Sequence, residues 1–535
     1  MTKVFFSLIV LFSLASCELL IKSGTKNYSP KVEIRSEGLN DYQHDFLYLS
    51  SLIEEGFPQI DSVFPIEKRQ LQKQEILLKL LEAQNHSSFM IQARKYLSNL
   101  KNQHTAIFLS DNSGNRKLYP FAVSILSNKW YLTHISKKYD SVNIGKKVLK
   151  INGVLTDEVE KRLADYTSEE NKICLQQSIA KLELYNQPQY LKEIGVIDDL
   201  QENVHLLFED NSEITISSVI ANQRLDLHVL PFKVDQISKY QNETYFYKLY
   251  PEKKFGYLQF NKCHDNIDII ESVGNYVQPW LQPLARAYVK SELKKEKPMK
   301  QLAGKNNLKH PVFRDFVWKL VDSLNINKIE NLVIDLRNNP GGNLTLGVQL
   351  LYFLTSRDTL KGFTEYTYTS DMYEYYFQKE IRELERRHTS GVPRNQLIVS
   401  KGGDNLFREV SDKKSVYFIS KNRPIFNGNI YILSNFNTGS AAALLTTLFQ
   451  DNGIGTVIGT SVGNNPTGAS GFTPMNLPRT KAELHIANSF LKRPNELMGK
   501  VQIPDIWVEY SLPDLLRGND PYMEVVKKLI KNKGY

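Results

Sequence analysis

One serine stands where the sequence predicts the turn between a buried strand and a helix. Ser440 lies in the motif N-T-G-S-A-A-A, residues 437–443, shortly after a strand that ends near Ser434. The first N–H groups of a helix lack partners within it and carry the positive end of its dipole, so they stabilise developing negative charge. This is the arrangement of a nucleophile elbow, although the sequence G-x-S-x-G is absent. The alternative is that Ser440 or Thr438 only caps the helix.

A glycine-rich turn follows another predicted strand. Residues 334–343 read I-D-L-R-N-N-P-G-G-N, and Gly341 and Gly342 leave the backbone open to a ligand. Backbone N–H groups exposed in this way can form the oxyanion hole of an acyl-transfer enzyme. A phosphate-binding loop is a competing interpretation, but the motif G-x-x-x-x-G-K-[ST] is absent. A plain turn that ends the strand is the third interpretation.

A serine nucleophile needs a base, and histidine is the commonest one. His104 lies in K-N-Q-H-T-A, residues 101–106, directly after a predicted helix. The other histidines have less distinctive surroundings. We therefore take His104 as the candidate base.

Apolar strands and intervening helices predict how these residues are positioned. Residues 332–336, 429–433 and 456–459 are nearly continuous apolar runs, which is typical of strands buried on both faces. Helical patterns at 344–354 and 441–449 lie between them. Alternating strands and helices predict a mostly parallel sheet, in which ligands bind at the carboxyl ends of the strands. The fold class is therefore α/β in this part of the chain.

Residues 41–226 divide into two further parts. Residues 41–115 carry helical apolar stripes and predict a helical N-terminal domain. Residues 116–226 mix strand-like and helical patterns, and G-x-x-V-L-x-I-N-G at 145–153 resembles the core of a PDZ-like module, which binds peptides at a sheet edge. The alternative is a plain β-turn-β unit without a ligand.

The N-terminus predicts export. A positive head and an apolar run of signal-peptide length end in L-A-S-C, which looks like a bacterial lipobox with Cys17 as the lipidated residue. Residues 1–16 would be the signal peptide and 17–40 a polar tether to the body. We expect a lipid-anchored protein of the bacterial cell envelope, facing the periplasm or the cell surface. The alternative is an ordinary secretory signal with an incidental cysteine.

Charge and cysteine usage exclude other classes. The net charge is +9, but the lysines are scattered and no nucleic-acid-binding motif accompanies them, so we expect no nucleic-acid partner. Cys174 and Cys263 are too few for a disulfide framework, and the sequence leaves open whether they pair. Neither belongs to a zinc-like cluster, so no metal site is predicted.

The order of the motifs resembles that of the tail-specific and tricorn-like serine peptidases, family S41. The series runs from His104-Thr105 through the PDZ-like segment, I-D-L-R-N-N-P-G-G-N and T-G-S-A-A to P-D-I-W-V at 504–508, and covers about residues 95–525. The resemblance implies a ClpP/crotonase-like catalytic core, which we place at 227–535. It also implies a peptide or protein substrate and no cofactor.

The resemblance assigns roles residue by residue. Ser440 would be the nucleophile, and Gly341 or Gly342 with the N–H of Ala441 would form the oxyanion hole. The tail-specific branch activates its serine with a lysine, but Asn464 and Asn465 occupy that place here. The tricorn-like branch uses a histidine in a D-G-H-T-like motif, which N-Q-H-T around His104 resembles.

The third catalytic residue departs from the family pattern. The tricorn-like glutamate position falls on Met498, and Glu496 lies two residues away. Since a base without its orienting carboxylate is much weaker, either Glu496 substitutes, another acid does, or the site is impaired.

These residues together predict a lipid-anchored serine endopeptidase. A non-catalytic peptide-binding lipoprotein on a degraded peptidase scaffold is the chief alternative, because the lysine is absent and the glutamate displaced. A hydrolase that acts on esters is the third, since the same groups attack both kinds of carbonyl. The sequence leaves the oligomeric state open.

Overall fold

A computed structural model describes residues 26–34, 37–83, 85–109, 117–220, 225–233, 243–273, 277–295, 312–388 and 391–533. These residues form two compact units. The first unit holds the described residues of 26–28, 243–457 and 492–498, and the second holds those of 29–233, 458–491 and 499–533. Ser440 and the glycine-rich turn belong to the first unit, and His104 belongs to the second.

The helices are numbered here in chain order. They are α1 Asp41–Gly56, α2 Ile60–Val63, α3 Ile66–Leu81, α4 His86–Leu97, α5 Thr156–Leu163, α6 Lys172–Lys181, α7 Pro188–Glu193, α8 Asn266–Ser272, α9 Gln282–Lys295, α10 Phe313–Ile326, α11 Leu344–Phe353, α12 Asp371–Tyr376, α13 Gln378–Arg387, α14 Arg408–Ser411, α15 Ser440–Asp451, α16 Leu512–Arg517 and α17 Pro521–Lys533.

The strands are numbered in the same way. They are β1 Ala106–Phe108, β2 Lys117–Leu118, β3 Phe121–Leu126, β4 Lys129–Ser136, β5 Lys147–Ile151, β6 Val154–Leu155, β7 Val204–Phe208, β8 Glu213–Ile216, β9 Val219–Ile220, β10 Leu227–Val229, β11 Tyr245–Tyr250, β12 Phe255–Phe260, β13 Asn331–Asp335, β14 Thr364–Tyr368, β15 Leu397–Lys401, β16 Asn429–Ser434, β17 Thr456–Gly459, β18 Gly468–Ser470, β19 Thr473–Asn476, β20 Glu483–Ile486, β21 Ser489–Lys492 and β22 Ile506–Trp507.

A sheet at the centre of the first unit positions the serine and the glycines. β12, β13 and β16 lie side by side and parallel, with Leu258 opposite Ile334 and Ile334 opposite Ile432. All five residues of β13 are buried, as the continuous apolar run predicted. β11 pairs antiparallel with β12 at one side. The carboxyl ends of β13 and β16 are therefore adjacent, which brings the glycine-rich turn close to the turn that carries Ser440.

The second unit contains the helical region and two further sheets. α1 begins with a capping box in which the side chain of Asn40 accepts the N–H of Gln43. An antiparallel sheet runs in the order β10-β4-β5-β7-β8, and helices α5 to α7 pack around the same core. Asn152 and Gly153 both have positive φ, 45° and 77°, and join β5 to β6 as the Asn-Gly signal predicted. β1 pairs with β20, and β20 with β19.

The α/β class with a helical N-terminal region is confirmed. The PDZ-like character of residues 116–226 and the predicted domain boundaries remain predictions. The predicted signal peptide and Cys17 lie outside the described residues. No helix of the described part of the chain is both long and apolar enough to cross a membrane.

Residues 26–28 of the predicted tether pack on the first unit. The Nζ of Lys26 donates to the carbonyl oxygen of Tyr376 at 3.1 Å, and the N–H of Tyr28 donates to the hydroxyl of Tyr376 at 3.1 Å. The ring of Tyr28 also meets Tyr375 edge-on at 5.7 Å. Lys26 and Tyr28, which the sequence predicts to belong to a polar spacer, are thus held against α12.

Candidate active site

Ser440 has the strained backbone of a nucleophile elbow. Its φ is +46°, in the left-handed region that residues other than glycine rarely adopt, and it is the first residue of α15. Such strain concentrates at functional sites, where the surrounding structure maintains it. The N-cap position belongs to Gly439, and no side chain caps this helix. The interpretation of Ser440 or Thr438 as a mere N-cap is therefore wrong.

Thr438 instead anchors the elbow to the neighbouring strand end. Its hydroxyl donates to the carbonyl oxygen of Leu336 at 2.9 Å and accepts the N–H of Asn435 at 3.0 Å. The N–H of Gly439 donates to the carbonyl oxygen of Asn339 at 2.9 Å. The turn before Ser440 is thus tied at two points to the loop after β13.

The glycine loop lies directly against Ser440. A Cβ placed on Gly341 would lie 2.6 Å from the Cβ of Ser440 and 2.9 Å from the nitrogen of Ala441, and the φ of Gly341 is +108°. Both the space and the backbone conformation therefore require glycine. The buried side chain of Asn339 shapes the loop, since its Nδ2 donates to the carbonyl oxygen of Phe260 at 2.9 Å.

The same asparagine decides which glycine N–H is available. Its Oδ1 accepts the N–H of Gly341 at 2.9 Å. Within the described residues, the N–H groups of Gly342 and Ala441 have no hydrogen-bond partner. Of the three predicted oxyanion-hole residues, Gly342 and Ala441 therefore offer the free donors.

A buried ion pair fixes the strand end that carries this loop. The guanidinium of Arg337 contacts the carboxylate of Asp335 twice, at 2.7 and 3.0 Å, and both side chains are at most 1% exposed. The hydroxyl of Tyr257 donates to the same carboxylate at 2.7 Å. The buried carboxylate thus accepts three hydrogen bonds from these two side chains.

The comparisons with known proteins identify this part of the chain. Residues 307–506 match the model of peptidase family S41. This region belongs to peptidase family S41. The chain is also similar to the solved structures of mature CPAF complexed with lactacystin and of mature CPAF.

The two CPAF likenesses show the fold. Both have 14% sequence identity; the TM-scores are 0.57 and 0.56, and they cover 92% of this chain and 99% and 98% of those chains, respectively. A comparison with curated proteins found no match. Ser440, both glycines and Glu496 lie within the S41 region, and His104 precedes it.

His104 is held in the second unit in a poorly solvated position. It immediately precedes the strand pair β1–β20, in which Ala106 lies opposite His485. Burial, and then the charge of His485, lower the pKa of His104 from 6.5 to about 4. The imidazole of His104 is therefore neutral at pH 7 and able to accept a proton.

His485 is itself held by aromatic rings and a carboxylate. It stacks on Phe472 with ring centroids 4.4 Å apart and meets Phe108 at 5.0 Å. Its Nε2 lies 2.6 Å from the Oε1 of Glu483. This histidine was not singled out by any sequence motif.

Two glutamates hold the turn that carries His104. The Oε1 of Glu170 accepts the N–H of Gln103 and the Nδ2 of Asn102, both at 3.3 Å. The carboxylate of Glu169 accepts the side-chain amide of Gln103. The N-Q-H-T motif, in which Asn and Gln replace the Asp and Gly of relatives, thus contacts acids from another part of the chain.

Glu170 also holds the turn at Asn464 and Asn465, where tail-specific relatives have a lysine. Its Oε2 accepts the N–H of Asn465 at 2.7 Å. The thiol of Cys174 donates to the carbonyl oxygens of Val462 and Gly463 at 3.3 and 3.2 Å. Glu170, which precedes α6, therefore connects the His104 turn with the 462–465 turn through one carboxylate.

Burial raises the pKa of Glu169 and of Glu170 to about 7, and the charge of Glu169 adds to the effect on Glu170. An unfolded chain releases these protons near pH 4.5, so each carboxyl stabilises the fold below that pH. That contribution is lost as the pH rises through 7.

We expect Glu170→Gln to reduce the fall in stability between pH 5 and pH 8. A glutamine stays neutral, so the share of Glu170 in that fall, on the order of 2 kcal/mol, disappears. Urea unfolding of both proteins at the two pH values measures the difference. Glu158→Gln is the control, because the hydrogen bond from Arg162 lowers the pKa of Glu158 and its contribution is constant over this range. An equal fall in parent and Glu170→Gln would contradict the assignment.

The predicted glutamate is exposed instead of sheltered. The side chain of Glu496 is 68% exposed and lies 4.0 Å from the Nζ of Lys492. Its neighbour Arg493 is buried and pairs with Asp451 at 2.6 Å, which fixes the backbone of this segment. The exposure of Glu496 is unlike that of an orienting carboxylate, which works in a desolvated site.

The described residues contain no group of three or more His, Cys, Asp or Glu side chains arranged to hold a metal ion. Cys174 and Cys263 are both free and buried. Ser440, with its left-handed backbone at the start of α15, is the nucleophile candidate of this site.

Proposed function

We propose that this chain is an exported serine endopeptidase that hydrolyses peptide bonds through an acyl-enzyme on Ser440. The match to peptidase family S41 supports a peptidase. The observation that carries the finer proposal is the left-handed Ser440 at the start of α15, in contact distance of a loop that accepts only glycine. A strained serine beside free N–H groups is what acyl transfer needs.

The proposed reaction uses His104 as the base. The Oγ of Ser440 bonds to the carbonyl carbon while its proton moves to the imidazole, and the carbonyl π electrons move onto oxygen. The N–H groups of Gly342 and Ala441 stabilise that oxyanion. Collapse breaks the C–N bond, and the amine leaves with the proton from His104. Water then adds to the ester by the same route, releasing the acid and restoring the serine.

Glu170 takes the role for which Glu496 was considered. It contacts the backbone of Gln103 and the side chain of Asn102, so it acts on His104 through the turn that carries the ring. This is a positioning role. The exposure of Glu496 favours Glu170 over it.

A lipid on Cys17 would anchor the peptidase at the bacterial cell envelope. The L-A-S-C sequence supports this, and mass spectrometry of the mature N-terminus in the native host tests it. A mature chain with an unmodified N-terminus other than Cys17 would contradict the anchor without touching the peptidase proposal.

Labelling with a fluorophosphonate probe tests the serine and its base. We expect the purified chain from Ser23 onward to be labelled, Ser440→Ala to lose labelling, and His104→Ala to react at least ~10³-fold more slowly. Ser411→Ala and His388→Ala, at the ends of α14 and α13, should react like the parent. Unchanged labelling of Ser440→Ala, with the probe on another residue, would overturn the proposal.

A non-catalytic peptide-binding protein is the second candidate, and one observation favours it. A base whose pKa is about 4 has little driving force to take a serine proton at pH 7. If the folded parent resists the probe and still binds peptides in a fluorescence polarisation assay, this candidate replaces the first.

A further inference from the structure

A second histidine lies beside the glycine loop. After β12 the chain runs alongside this loop, where the N–H of Cys263 donates to the carbonyl oxygen of Gly341 at 2.9 Å. The N–H of Asn343 donates back to the carbonyl oxygen of Cys263 at 2.8 Å. This pairing places His264 against the loop, such that a Cβ on Gly342 would lie 2.8 Å from its Nε2. His264, Gly342 and Ser440 all belong to the first unit.

A buried carboxylate on α8 orients the imidazole. The Nδ1 of His264 lies 2.7 Å from the Oδ2 of Asp268, whose side chain is 9% exposed. The Oδ1 of Asp268 accepts the Nδ2 of Asn343 at 2.8 Å. One carboxylate thus holds the ring and the residue that follows the two glycines. A carboxylate on one ring nitrogen fixes the orientation of the imidazole and thereby the position of the other nitrogen.

The remaining ring nitrogen is directed to the loop. The Nδ1 faces Asp268 and the Nε2 is the atom beside Gly342, while the side chain is 45% exposed. Within the described residues this Nε2 has no hydrogen-bond partner. When the ring carries both protons, the Nε2–H is a donor next to the free N–H of Gly342.

We propose that His264 is a substrate-contacting residue of the Ser440 site, which donates its Nε2–H to the oxyanion beside Gly342. The inference rests on the proposed function. The glycine loop supplies one free N–H, since Asn339 takes that of Gly341, and the Nε2–H of His264 adds a third donor to the N–H groups of Gly342 and Ala441. The imidazole gives a hydrogen bond and transfers no proton.

Two substitutions separate this role from a structural one. His264→Gln places an amide N–H near the position of Nε2, whereas His264→Asn places one near Nδ1 and keeps the contact with Asp268. We expect His264→Asn to react with the fluorophosphonate ~10²-fold more slowly than the parent, the usual effect of losing one oxyanion donor. His264→Gln should recover most of the rate. Thermal unfolding shows whether both variants are folded.

Each outcome has a defined meaning. If His264→Asn reacts as fast as the parent, or if both variants are folded and equally slow, the imidazole only supports the loop and the inference is overturned. If the parent itself does not react, Ser440 is not activated, and the proposed function falls together with the inference. A fast parent with a slow His264→Asn and a recovered His264→Gln supports both.

Discussion

Gly341→Ala is expected to slow the reaction of Ser440 with a fluorophosphonate by ~10²–10³-fold. The new Cβ would lie 2.6 Å from the Cβ of Ser440 and 2.7 Å from the carbonyl oxygen of Gly439. Atoms at these distances repel, so the elbow and the loop must separate. Ser440 then moves away from the position in which the N–H groups of Gly342 and Ala441 can stabilise the oxyanion.

Gly391→Ala is the matched control. Its φ of +88° imposes a similar backbone strain, and no atom lies within 4 Å of the new Cβ. We expect normal labelling at a stability cost of about 1–2 kcal/mol. If Gly341→Ala reacts no more slowly than Gly391→Ala, the loop does not shape the nucleophile.

Arg337→Ala is expected to lower the free energy of unfolding by about 3–5 kcal/mol, because it leaves the carboxylate of Asp335 buried without its counter-charge. Both side chains of this pair are at most 1% exposed. Urea unfolding followed by circular dichroism measures the loss. The first unit should unfold with its midpoint at a lower urea concentration.

Two further variants identify the cause of that loss. Lys527→Ala breaks an exposed pair with Glu524, whose side chains are 60% and 57% exposed, and should cost at most about 1 kcal/mol. The double variant Asp335→Asn with Arg337→Met removes both buried charges and should recover part of the stability. A double variant less stable than Arg337→Ala alone would show that the charge imbalance is not the cause.

Strand positions in the first unit were predictable because burial on both faces leaves a continuous apolar run. Residues 332–336 and 429–433 were predicted, and β13 Asn331–Asp335 and β16 Asn429–Ser434 are observed. Their adjacency followed from the alternation of strands with helices. Sequence alone could therefore place Ser440 near the two glycines.

The hydrogen bonds around these glycines were not predictable. The motif treats Gly341 and Gly342 alike, yet Asn339 takes the N–H of Gly341. That choice depends on the rotamer of a buried side chain, which the sequence does not encode locally. The left-handed backbone of Ser440 likewise follows a turn that Thr438 ties to Leu336 at the end of β13, a contact between residues 102 positions apart.

The acids that contact the His104 turn were missed for a different reason. Glu169 and Glu170 belong to no motif and reach the His104 turn only because the chain folds back over a separation of more than 60 residues. The pair His264–Asp268 did carry a signal, because residues four apart at the start of a helix face each other. The contact of this pair with the glycine loop could be recognised only from the structure.

Each unit of this protein contains a buried free cysteine. Burial raises the pKa of Cys263 to about 12 and also raises that of Cys174, so neither is a thiolate at neutral pH. Cys263 lies in the first unit and Cys174 in the second. A thiol reagent can modify either one only after its surroundings open. In the chain from Ser23 onward, the rate at which a thiol reagent modifies each cysteine therefore reports how often the unit around that cysteine opens.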